Sequence, residues 1–480
     1  MTRVSFSRRL SALAHLDPDR PAVTCGDESV SRRELDEWSN RLARVLASHG
    51  ATVGDMVTIS LPNSIDWLAT AIAAWKLGAI PQPISSGLPA REIEEIVQLA
   101  KPRVVVGLDP AITVSAATIP LGYRPEVAID ASELPDAVSP AWKAPTSGGS
   151  TGRPKLILSG EPSLIDPDAP PGFGMNVNGC LVMPGPLYHN APAVWCAQML
   201  LQGGHVVLLA RFDAAATLTA IERYKADMVY LVPTMMKRIS RLPDEQRFGY
   251  DLSSLQIVWH LAEPCPAWLK RQWIEWLGAD TIMELYAGTE AQAVTIITGT
   301  EWLAHEGSVG RPATGEISIA DALGDPLPPG AIGEVWLRNT GSTPTYHYFG
   351  AEPRTREGGW ESLGDMGSVD EEGYLYLADR SSDMILCGGA NVYPAEVEAV
   401  IAEHPGVRSC AVIGLPDEDL GQRVHAIVEA DAATLDELPA FVRERLVRYR
   451  CPRTWELVDV PLRSDAGKVR RSELRTERLR

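Results

Sequence analysis

The sequence predicts an α/β fold: a large N-terminal domain with parallel sheets and a small β-barrel-like region, then a small α+β C-terminal domain. Three observations support this prediction. Apolar runs alternate with amphipathic helical patterns over residues 31–262, which is typical of parallel sheets. Residues 316–380 contain short strand-like runs between Gly/Pro-rich turns, which favours antiparallel sheet. The pattern changes again after Asp383, so we expect a separate C-terminal domain.

The predicted elements follow from local patterns. Ser31, with Glu34 three residues later, predicts a capping box before an amphipathic helix that stops at Gly50. The alternation predicts strands at 56–61, 79–84, 103–108, 205–210, 228–233 and 256–262, and helices at 65–77, 90–100 and 214–225. The C-terminal pattern predicts helices at 394–403 and 435–446 and strands at 407–417, 423–430 and 454–460. We place the domains at residues 1–381 and 382–480.

Composition restricts the function classes. The 480 residues include 62 acidic and 44 Lys/Arg side chains, a net charge of -18, which argues against broad nucleic-acid binding. None of the seven cysteines forms a C-x-x-C pair, so we expect reduced thiols in a cytoplasmic protein. The most apolar window, 67–80, contains Lys76 and is too short to span a membrane. The N-terminal segment reads as a helix and not as a signal peptide, and the sequence is compatible with a homodimer.

Residues 147–155 form a glycine-rich loop, Ser-Gly-Gly-Ser-Thr-Gly-Arg-Pro-Lys. Glycines allow backbone N–H groups to approach phosphate oxygens, hydroxyls add donors, and Lys155 adds positive charge. The spacing is not that of a Walker A loop. Taken alone, the loop could be either a phosphate-binding loop or a flexible surface turn.

Seven further motifs follow in a fixed order: PGPLYHN (184–190), YAGTE (286–290), GRP (310–312), LGD (363–365), DRSSDMI (379–385), GGANVYPAEVE (388–398) and GKVRR (467–471). With the glycine-rich loop, they resemble the adenylate-forming superfamily of acyl-CoA synthetases, peptide-synthetase adenylation domains and luciferases. The form of the glycine-rich loop, SGGSTGRPKLI, together with PGPLYHNAP is most similar to steroid- and bile-acid-type CoA ligases. The resemblance covers almost the whole chain.

The resemblance implies a ligase that uses ATP and Mg²⁺ to form an acyl-adenylate, after which the C-terminal domain rotates and CoA displaces AMP. It implies catalytic roles for Lys468, His189 and Glu290, and Mg²⁺ ligation by Thr151 and Glu290. The implied cofactor-binding residues are Ser147, Gly148, Gly149, Ser150, Thr151, Gly152, Lys155, Glu263, Tyr286, Ala287, Gly288, Thr289, Asp365, Arg380, Gly388 and Gly389.

Within that set, the resemblance implies that Lys468 bridges the substrate carboxylate and the α-phosphate, and that the His189 ring borders the reacting carboxylate. Asp365 would accept the ribose hydroxyls, Arg380 would lie near ribose and phosphate, and Tyr286 would lie against adenine. The glycines 388 and 389 would border the pantetheine tunnel. Each residue also has an ordinary structural explanation, such as a core tyrosine, a turn aspartate or a surface arginine.

Several positions depart from the family pattern. Residues 156–183 are rich in Pro, Gly and Asp, so we expect a loop beside the ATP site, a candidate lid, where relatives have a helix. Ser382 stands at the hinge, where Asp or Lys is commoner, and Leu462-Arg463 replaces the usual proline-basic pair. Glu263 replaces a small residue near the expected meeting point of substrate and adenine. There it would point to adenine, to solvent or to an amino group on the substrate.

We therefore expect an ATP-dependent ligase that joins a bulky, aromatic or polycyclic acid to CoA. A CoA-independent adenylating enzyme, such as a nitrite-activating diazotase acting on an aromatic amine, is the alternative. A nucleotide-binding protein without catalysis is disfavoured by Lys468, Glu290 and Asp365. Trp195, Val232, Trp259 and His260 could each be pocket wall or core.

Overall fold

The structure, a computed structural model, describes residues 3–148, 154–380, 382–463 and 467–479. Their helices are α1 Phe6–Leu16, α2 Arg32–Ser48, α3 Ile65–Lys76, α4 Ala90–Ala100, α5 Asn190–Leu201, α6 Ala214–Tyr224, α7 Pro233–Ser240, α8 Asp244–Arg247, α9 Ala267–Leu277, α10 Gly299–Ala304, α11 Pro394–Glu403, α12 Ala432–Arg443 and α13 Arg471–Glu477. Short 3₁₀ turns occupy Gly172–Gly174, Ala279–Thr281 and Arg448–Arg450.

The strands of the large domain, in chain order, are β1 Val4–Ser5, β2 Pro21–Cys25, β3 Glu28–Ser31, β4 Met56–Ile59, β5 Ile80–Pro83, β6 Val104–Leu108, β7 Ala117–Pro120, β8 Thr146–Gly148, β9 Pro154–Ser159, β10 Leu164–Ile165, β11 Cys180–Met183, β12 His205–Leu208, β13 Met228–Leu231, β14 Ile257–Leu261, β15 Ile282–Tyr286, β16 Val294–Thr298, β17 Arg311–Thr314, β18 Glu316–Ala320, β19 Gly333–Arg338, β20 Tyr346–Phe349, β21 Arg354–Arg356, β22 Trp360–Val369 and β23 Leu375–Arg380. The C-terminal strands are β24 Ile385–Cys387, β25 Ala390–Val392, β26 Ser409–Asp417, β27 Gly421–Glu429 and β28 Thr454–Val458.

Local signals in the sequence explain how several helices begin. The Ser31 hydroxyl accepts from Glu34 N, and the Glu34 carboxylate accepts from Ser31 N, so the predicted capping box of α2 is confirmed. Helix α12 begins at Ala432, three residues before the predicted start. Its cap explains the difference, because the Asp431 carboxylate accepts from Thr434 N at 2.7 Å.

The central sheet has nine strands in the order β17-β16-β15-β14-β13-β11-β12-β2-β3. Its interior, from β15 to β2, is parallel, and antiparallel strands close both edges. The chain runs from β11 to β12 on one side and returns to β13 on the other side of β11. That reversal is a topological switch point, and ligands in open α/β sheets bind outside the carboxyl ends of the strands there.

Smaller sheets surround the central one. A parallel sheet has the order β5-β4-β6-β7, and β18, β19, β21, β22 and β23 form an antiparallel sheet over residues 316–380, where antiparallel structure was predicted. A three-stranded sheet, β20-β9-β8, places the ends of the glycine-rich loop beside β20. The predicted mixture of parallel and antiparallel regions is therefore confirmed.

The residues after 384 have a hydrophobic core of their own. In the C-terminal sheet, β25-β24-β27-β26 pair in that order, and β28 adds in parallel to β27. Val397 and Ile401 of α11 pack with Val412, Val424 and Val428 of that sheet in a buried cluster separate from those of the large domain. This part of the chain can therefore keep its own structure, as a mobile domain must.

The proline-rich segment after Lys155 differs in part from the predicted loop. Residues 154–159 are strand β9, and the rest is irregular apart from β10, the 3₁₀ turn Gly172–Gly174 and strand β11, so no long helix forms within the described part of this segment. Phe173 stacks on Trp195 with ring centroids 4.1 Å apart, and its carbonyl accepts from the Trp259 indole at 2.9 Å. These contacts fasten the segment to buried side chains, so the suggestion of a lid finds no support. No helix among the described residues has the length and hydropathy needed to cross a bilayer.

Candidate active site

The candidate residues meet at the carboxyl edge of the central sheet. The loops that follow β11, β13, β14 and β15 begin at Pro184, Val232, Ala262 and Ala287, and each leaves a parallel strand at the same edge. Three of these loops contain predicted site residues, namely His189, Glu263 and the 287–290 segment. The topology therefore brings together groups that are up to a hundred residues apart in sequence.

A buried asparagine shapes the loop that contains His189. The Asn63 amide donates to the carbonyls of Gly185 and Leu209 at 2.8 and 3.0 Å, and its oxygen accepts from Leu187 N at 2.8 Å. Both amide N–H donors and the side-chain oxygen of Asn63 thus hold the loop against the sheet. Sequence reasoning missed this residue; its only signal was a polar side chain just after a buried strand.

His189 is the N-cap of α5 and lies at the switch point. Burial, followed by the nearby positive charge of Lys468, lowers the pKa of His189 to about 3. The imidazole is therefore neutral at physiological pH. A neutral ring beside Lys468 can border a carboxylate and act as an acceptor, but it does not add charge there.

The β8–β9 hairpin holds both ends of the glycine-rich loop. Ser147 and Lys155 are register partners across this hairpin. The predicted phosphate contacts of residues 149–152, including Thr151, lie outside the described residues. At the described end, Lys155 Nζ donates to Glu290 Oε1 at 3.1 Å and to the Tyr348 hydroxyl at 2.9 Å.

Glu290 is buried and lies at the centre of this group. Its Oε1 also accepts from the Tyr348 hydroxyl, so a lysine and a phenol share one carboxylate oxygen. Carboxylate oxygen is a preferred ligand of Mg²⁺, so the predicted ligand role fits the donor chemistry. Tyr348 was missed from the sequence, although alternation in the strand YHYF places Tyr346 and Tyr348 on one face.

A second group comprises Tyr286, Asp365 and Arg380. The Tyr286 hydroxyl donates to Asp365 Oδ2 at 2.7 Å, and Arg380 Nε lies 3.3 Å from Asp365 Oδ1. Burial, then the Asp365 charge, raises the pKa of Tyr286 well above its usual value, so Tyr286 is a neutral donor. Both Asp365 oxygens face polar partners, and the Arg380 side chain is 64% exposed and open to an anion. The structure thus brings these three predicted residues together.

Gly288 makes the turn between Tyr286 and Glu290 compact. A Cβ at Gly288 would lie 2.9 Å from Glu290 Oε2 and would collide with Leu363 of the LGD motif. Ala287, Gly288 and Thr289 are each partly exposed at this edge. The YAGTE and LGD motifs are therefore in direct contact, which their separation in sequence does not reveal.

Lys468 comes to the same edge from the C-terminal domain. Part of its side chain is exposed, yet desolvation lowers its pKa, with Arg380 adding to the effect and Glu290 opposing it. Those interactions place Lys468 in electrostatic range of Arg380, Glu290 and His189. An amine at this point can offset two anions that approach each other.

Glu263 has different surroundings from those predicted. Its Oε2 accepts from the Thr234 hydroxyl at 2.8 Å and lies 3.7 Å from Arg463 Nη1, which belongs to the C-terminal domain. A Cβ at Gly467 would overlap Glu263 Oε1. The carboxyl group thus faces the segment before Lys468, and the expectation that it points to adenine, solvent or a substrate amine is wrong in this structure.

The glycines 388 and 389 form the two-residue turn between β24 and β25, with φ of 59° and 83°. Positive φ at both central positions suits a hairpin turn and favours glycine, so this turn accounts for them. Their role beside a pantetheine tunnel stays a prediction. Ser382 lies in a turn in which Asp383 N and Met384 N both donate to Arg380 O, next to the expected hinge.

The four candidate pocket walls are all buried. Val232, Trp259 and His260 are at most 2% exposed, and Trp195 packs edge-on against Trp259 and Tyr230. They form part of the core beneath the loops, which favours the core interpretation of their role.

Lys143 is a further cation that sequence reasoning missed. It donates to the Asn190 side-chain oxygen next to His189, and burial lowers its pKa to about 8, opposed by Glu290. Its signal was a lysine in the apolar approach to the glycine-rich loop. Lys143, Lys155, Arg380 and Lys468 give this edge a local positive charge in an acidic protein.

Comparisons with known proteins agree with this geometry. The family model "AMP-binding enzyme" matches residues 10–347, and "AMP-binding enzyme C-terminal domain" matches residues 396–468. A feruloyl-CoA synthase of Amycolatopsis sp. is 31% identical over 96% of both chains. A 3-[(3aS,4S,7aS)-7a-methyl-1,5-dioxo-octahydro-1H-inden-4-yl]propanoyl:CoA ligase of Mycobacterium tuberculosis is 30% identical over 97% of both. The solved amide bond synthetase McbA from Marinactinospora thermotolerans superposes with a TM-score of 0.81 and 29% identity, covering 98% of this chain and 99% of that one.

Proposed function

The chain belongs to the AMP-binding enzyme family, and on that basis we propose that it is an AMP-forming acid–thiol ligase that converts a carboxylic acid to its CoA thioester. The observation that supports this most is the meeting of Lys468, Glu290, Asp365, Arg380 and His189 at one sheet edge. Cations offset the repulsion between a carboxylate and a triphosphate, and a carboxylate can accept ribose hydroxyls, so these groups suit the adenylation of an acid.

In the first half-reaction, a carboxylate oxygen of the acid attacks the α-phosphorus of ATP and pyrophosphate leaves. Lys468 offsets the repulsion between the carboxylate and the α-phosphate, and Lys155 and Arg380 bind phosphate oxygens. Asp365, held by Tyr286, accepts from the ribose hydroxyls. Mg²⁺ would be held by Glu290 together with Thr151 and would supply charge neutralisation at the phosphates.

In the second half-reaction, the C-terminal domain turns about the segment near Ser382 and Lys468 leaves the site. The CoA sulfur then attacks the acyl carbonyl carbon, the bond to AMP breaks, and AMP departs with the former carboxylate oxygen. The separate core of residues after 384 supports this rotation, since a domain that moves must be stable by itself. We place the domain boundary at 381/382.

We further propose that the acid is aromatic or polycyclic. The support comes from the named substrates of the two relatives, a hydroxycinnamate and a bicyclic propanoate. The amine-accepting alternative loses the argument that rested on Glu263, because its carboxyl group faces Arg463 and Gly467. Seven free cysteines favour a reducing, cytoplasmic location.

A product assay tests the proposal. The enzyme is incubated with ATP, Mg²⁺, CoA and one acid at a time from a panel of hydroxycinnamic, polycyclic and fatty acids. We expect AMP, pyrophosphate and acyl-CoA in equal amounts with at least one aromatic or polycyclic acid. Pyrophosphate release without acyl-CoA for every acid would contradict the CoA-ligase assignment. A clear preference for fatty acids would contradict only the substrate class.

A further inference from the structure

Glu263 is a buried carboxyl group that joins the two domains. It belongs to the loop after β14, yet one of its close neighbours, Arg463, belongs to the C-terminal domain. Its side chain is 7% exposed. The preceding residue, Ala262, has φ of 72°, a conformation that a non-glycine residue seldom adopts, and the turn directs Glu263 out of the sheet edge.

The two oxygens of Glu263 are unequally satisfied. Oε2 has the Thr234 hydroxyl at 2.8 Å and Arg463 at 3.7 Å, whereas Oε1 has no hydrogen-bond partner among the described residues. Oε1 instead lies against the Cα of Gly467, where a side chain of any size would collide with it. Burial of a polar atom without a partner is costly, and more so for an ion than for a neutral group.

The contact lies directly before Lys468. Gly467 has φ of 74°, and its carbonyl accepts from Arg463 Nη1 at 3.0 Å, so Arg463 ties together the carboxyl group and the glycine. Arg463 in turn donates to Glu398 of α11 at 2.8 Å. The position of Lys468 at the active site therefore depends on how closely Glu263 and Gly467 approach each other.

We propose that Glu263 is a positioning residue for the adenylation half-reaction: it receives the segment that contains Lys468, and the docking is tighter when Glu263 is neutral than when it is ionised. The role in adenylation rests on the proposed function, whereas the docking contact between Glu263 and the segment before Lys468 does not depend on it. It assigns a distinct use to a position at which this chain departs from the small residue typical of the family.

The surrounding charges set the sign of the effect. Arg463 favours ionised Glu263, Glu398 disfavours it, and Thr234 stabilises the ion by hydrogen bonding. Tyr230 and Cys265, which also face Glu263, have raised pKa values and stay neutral. Lys237 of α7 interacts with Arg463, and burial lowers the pKa of Lys237 to about 8. The largest influence on Glu263 is burial, which raises its pKa to about 7 from the ordinary 4.5.

Linkage then gives the pH dependence. When the C-terminal domain departs, Glu263 is exposed and recovers an ordinary pKa, so the docked state binds the proton more tightly. Docking is consequently favoured at low pH. The docking constant falls by up to about tenfold per pH unit as the pH rises towards 7, and it levels off above that value.

Hydrogen–deuterium exchange tests the docking without any acid substrate. Wild type and Glu263→Gln are compared at the same pH, so intrinsic exchange rates cancel, and peptides from residues 467–479 are followed. We expect faster exchange in wild type than in the variant, and the ratio of the two rates should be larger at pH 8 than at pH 6 by up to about tenfold. A ratio that does not grow between pH 6 and pH 8, or slower exchange in wild type at pH 8, would overturn the proposal.

Two further variants serve as controls. Glu245→Gln, an exposed change on α8, should behave as wild type at both pH values. Thr234→Val removes a hydrogen-bond donor to the ionised Glu263 carboxylate, so Glu263 should ionise at a higher pH. The pH at which residues 467–479 lose protection from deuterium exchange should therefore be higher in this variant than in wild type. No upward shift would contradict the role given to the Glu263 charge, even if Glu263→Gln proved unstable.

Kinetics connect the docking to catalysis. ATP–pyrophosphate exchange reports the first half-reaction, and thioester formation from a chemically prepared acyl-adenylate reports the second. For ATP–pyrophosphate exchange, we expect the ratio of the wild-type rate to the Glu263→Gln rate to fall about tenfold or less between pH 6 and 8. For thioester formation, the corresponding ratio should not change. An equal pH effect on both half-reactions would contradict a role specific to adenylation. If neither protein catalysed ATP–pyrophosphate exchange with any acid, that result would count against the proposed function. The hydrogen–deuterium exchange result would still show whether Glu263 controls docking of the C-terminal domain.

Discussion

Two groups of charged residues meet at the domain interface, and they are built differently. In the closed cluster (Asp383, Glu398, Arg463 and Arg471), the charged groups are paired with one another. Glu398 accepts from both arginines and from Val412 N, and Arg471 also donates to Asp383 at 2.9 Å. The open cluster (Lys155, Glu290, Tyr348, Asp365 and Arg380) is less completely paired, because the Arg380 side chain is mostly exposed. The same residue types thus fix a shape in one case and leave binding capacity in the other.

The largest change should come from opening the closed cluster. Glu398→Gln leaves two arginines without the carboxylate that each contacts, and breaking a buried pair in this way costs about 3–5 kcal/mol. We expect the C-terminal domain of this variant to unfold at a lower urea concentration than that of wild type. Hydrogen exchange of peptides from this domain, measured at increasing urea concentration, checks this. Glu403→Gln, on the same helix with a surface pair to Arg445, should cost less than about 1 kcal/mol. Equal effects of the two changes would remove the distinction between the clusters.

Next in size is the loss of the amine that the anchored segment delivers. Lys468→Ala should slow adenylation by about 10²–10³-fold, because a positioned charge at the developing phosphoryl transition state is removed. ATP–pyrophosphate exchange measures the loss, and ATP should still bind. The matched control is Arg470→Ala, an exposed cation two residues away. Near wild-type exchange by Lys468→Ala would refute the assigned role.

A smaller effect is expected within the open cluster. Asp365→Asn keeps the shape that accepts the Tyr286 hydroxyl but loses the charge towards ribose and Arg380. A charged hydrogen bond contributes about 1.5–3 kcal/mol, so the KM for ATP should rise about tenfold to a hundredfold with a smaller change in kcat. Steady-state ATP titration checks this, with the exposed Asp325→Asn as the control. An unchanged KM would indicate that Asp365 serves the fold only.

The smallest effect concerns the pH profile. Because the pKa of His189 is depressed to about 3, its ring does not titrate between pH 5.5 and 9. His189→Phe should therefore lower activity without altering the shape of the profile of kcat/KM. If the wild-type profile showed an inflection near 6.5 that the variant lacked, the buried neutral state of His189 would be contradicted.

The sequence predicted features whose cause is local. The capping box at Ser31 and the strands predicted at 56–61, 205–210 and 228–233 depend on residues a few positions apart, and the structure confirms them. The motifs also identified Tyr286, Asp365 and Arg380, which the structure brings together. Their roles in binding nucleotide stay predictions, as do those of residues 149–152.

Other features depend on contacts between distant segments. Asn63 shapes a loop more than a hundred residues later, and Tyr348 reaches Glu290 from an edge strand. Glu263 was noticed as a departure, but its neighbours Arg463 and Gly467 belong to another domain, so its direction was not predictable. Lys143 was likewise not predictable, because only its burial in the folded protein distinguishes it from a surface lysine.

The most direct test of the central claim follows oxygen atoms. The enzyme is given an acid labelled with ¹⁸O in its carboxylate, together with ATP, Mg²⁺ and CoA, and the phosphate-containing products are analysed by mass spectrometry. If the carboxylate attacks the α-phosphorus and CoA then displaces AMP, each AMP acquires one ¹⁸O and pyrophosphate acquires none. Label in pyrophosphate or inorganic phosphate, or acyl-CoA formed with unlabelled AMP, would contradict formation of an acyl-adenylate.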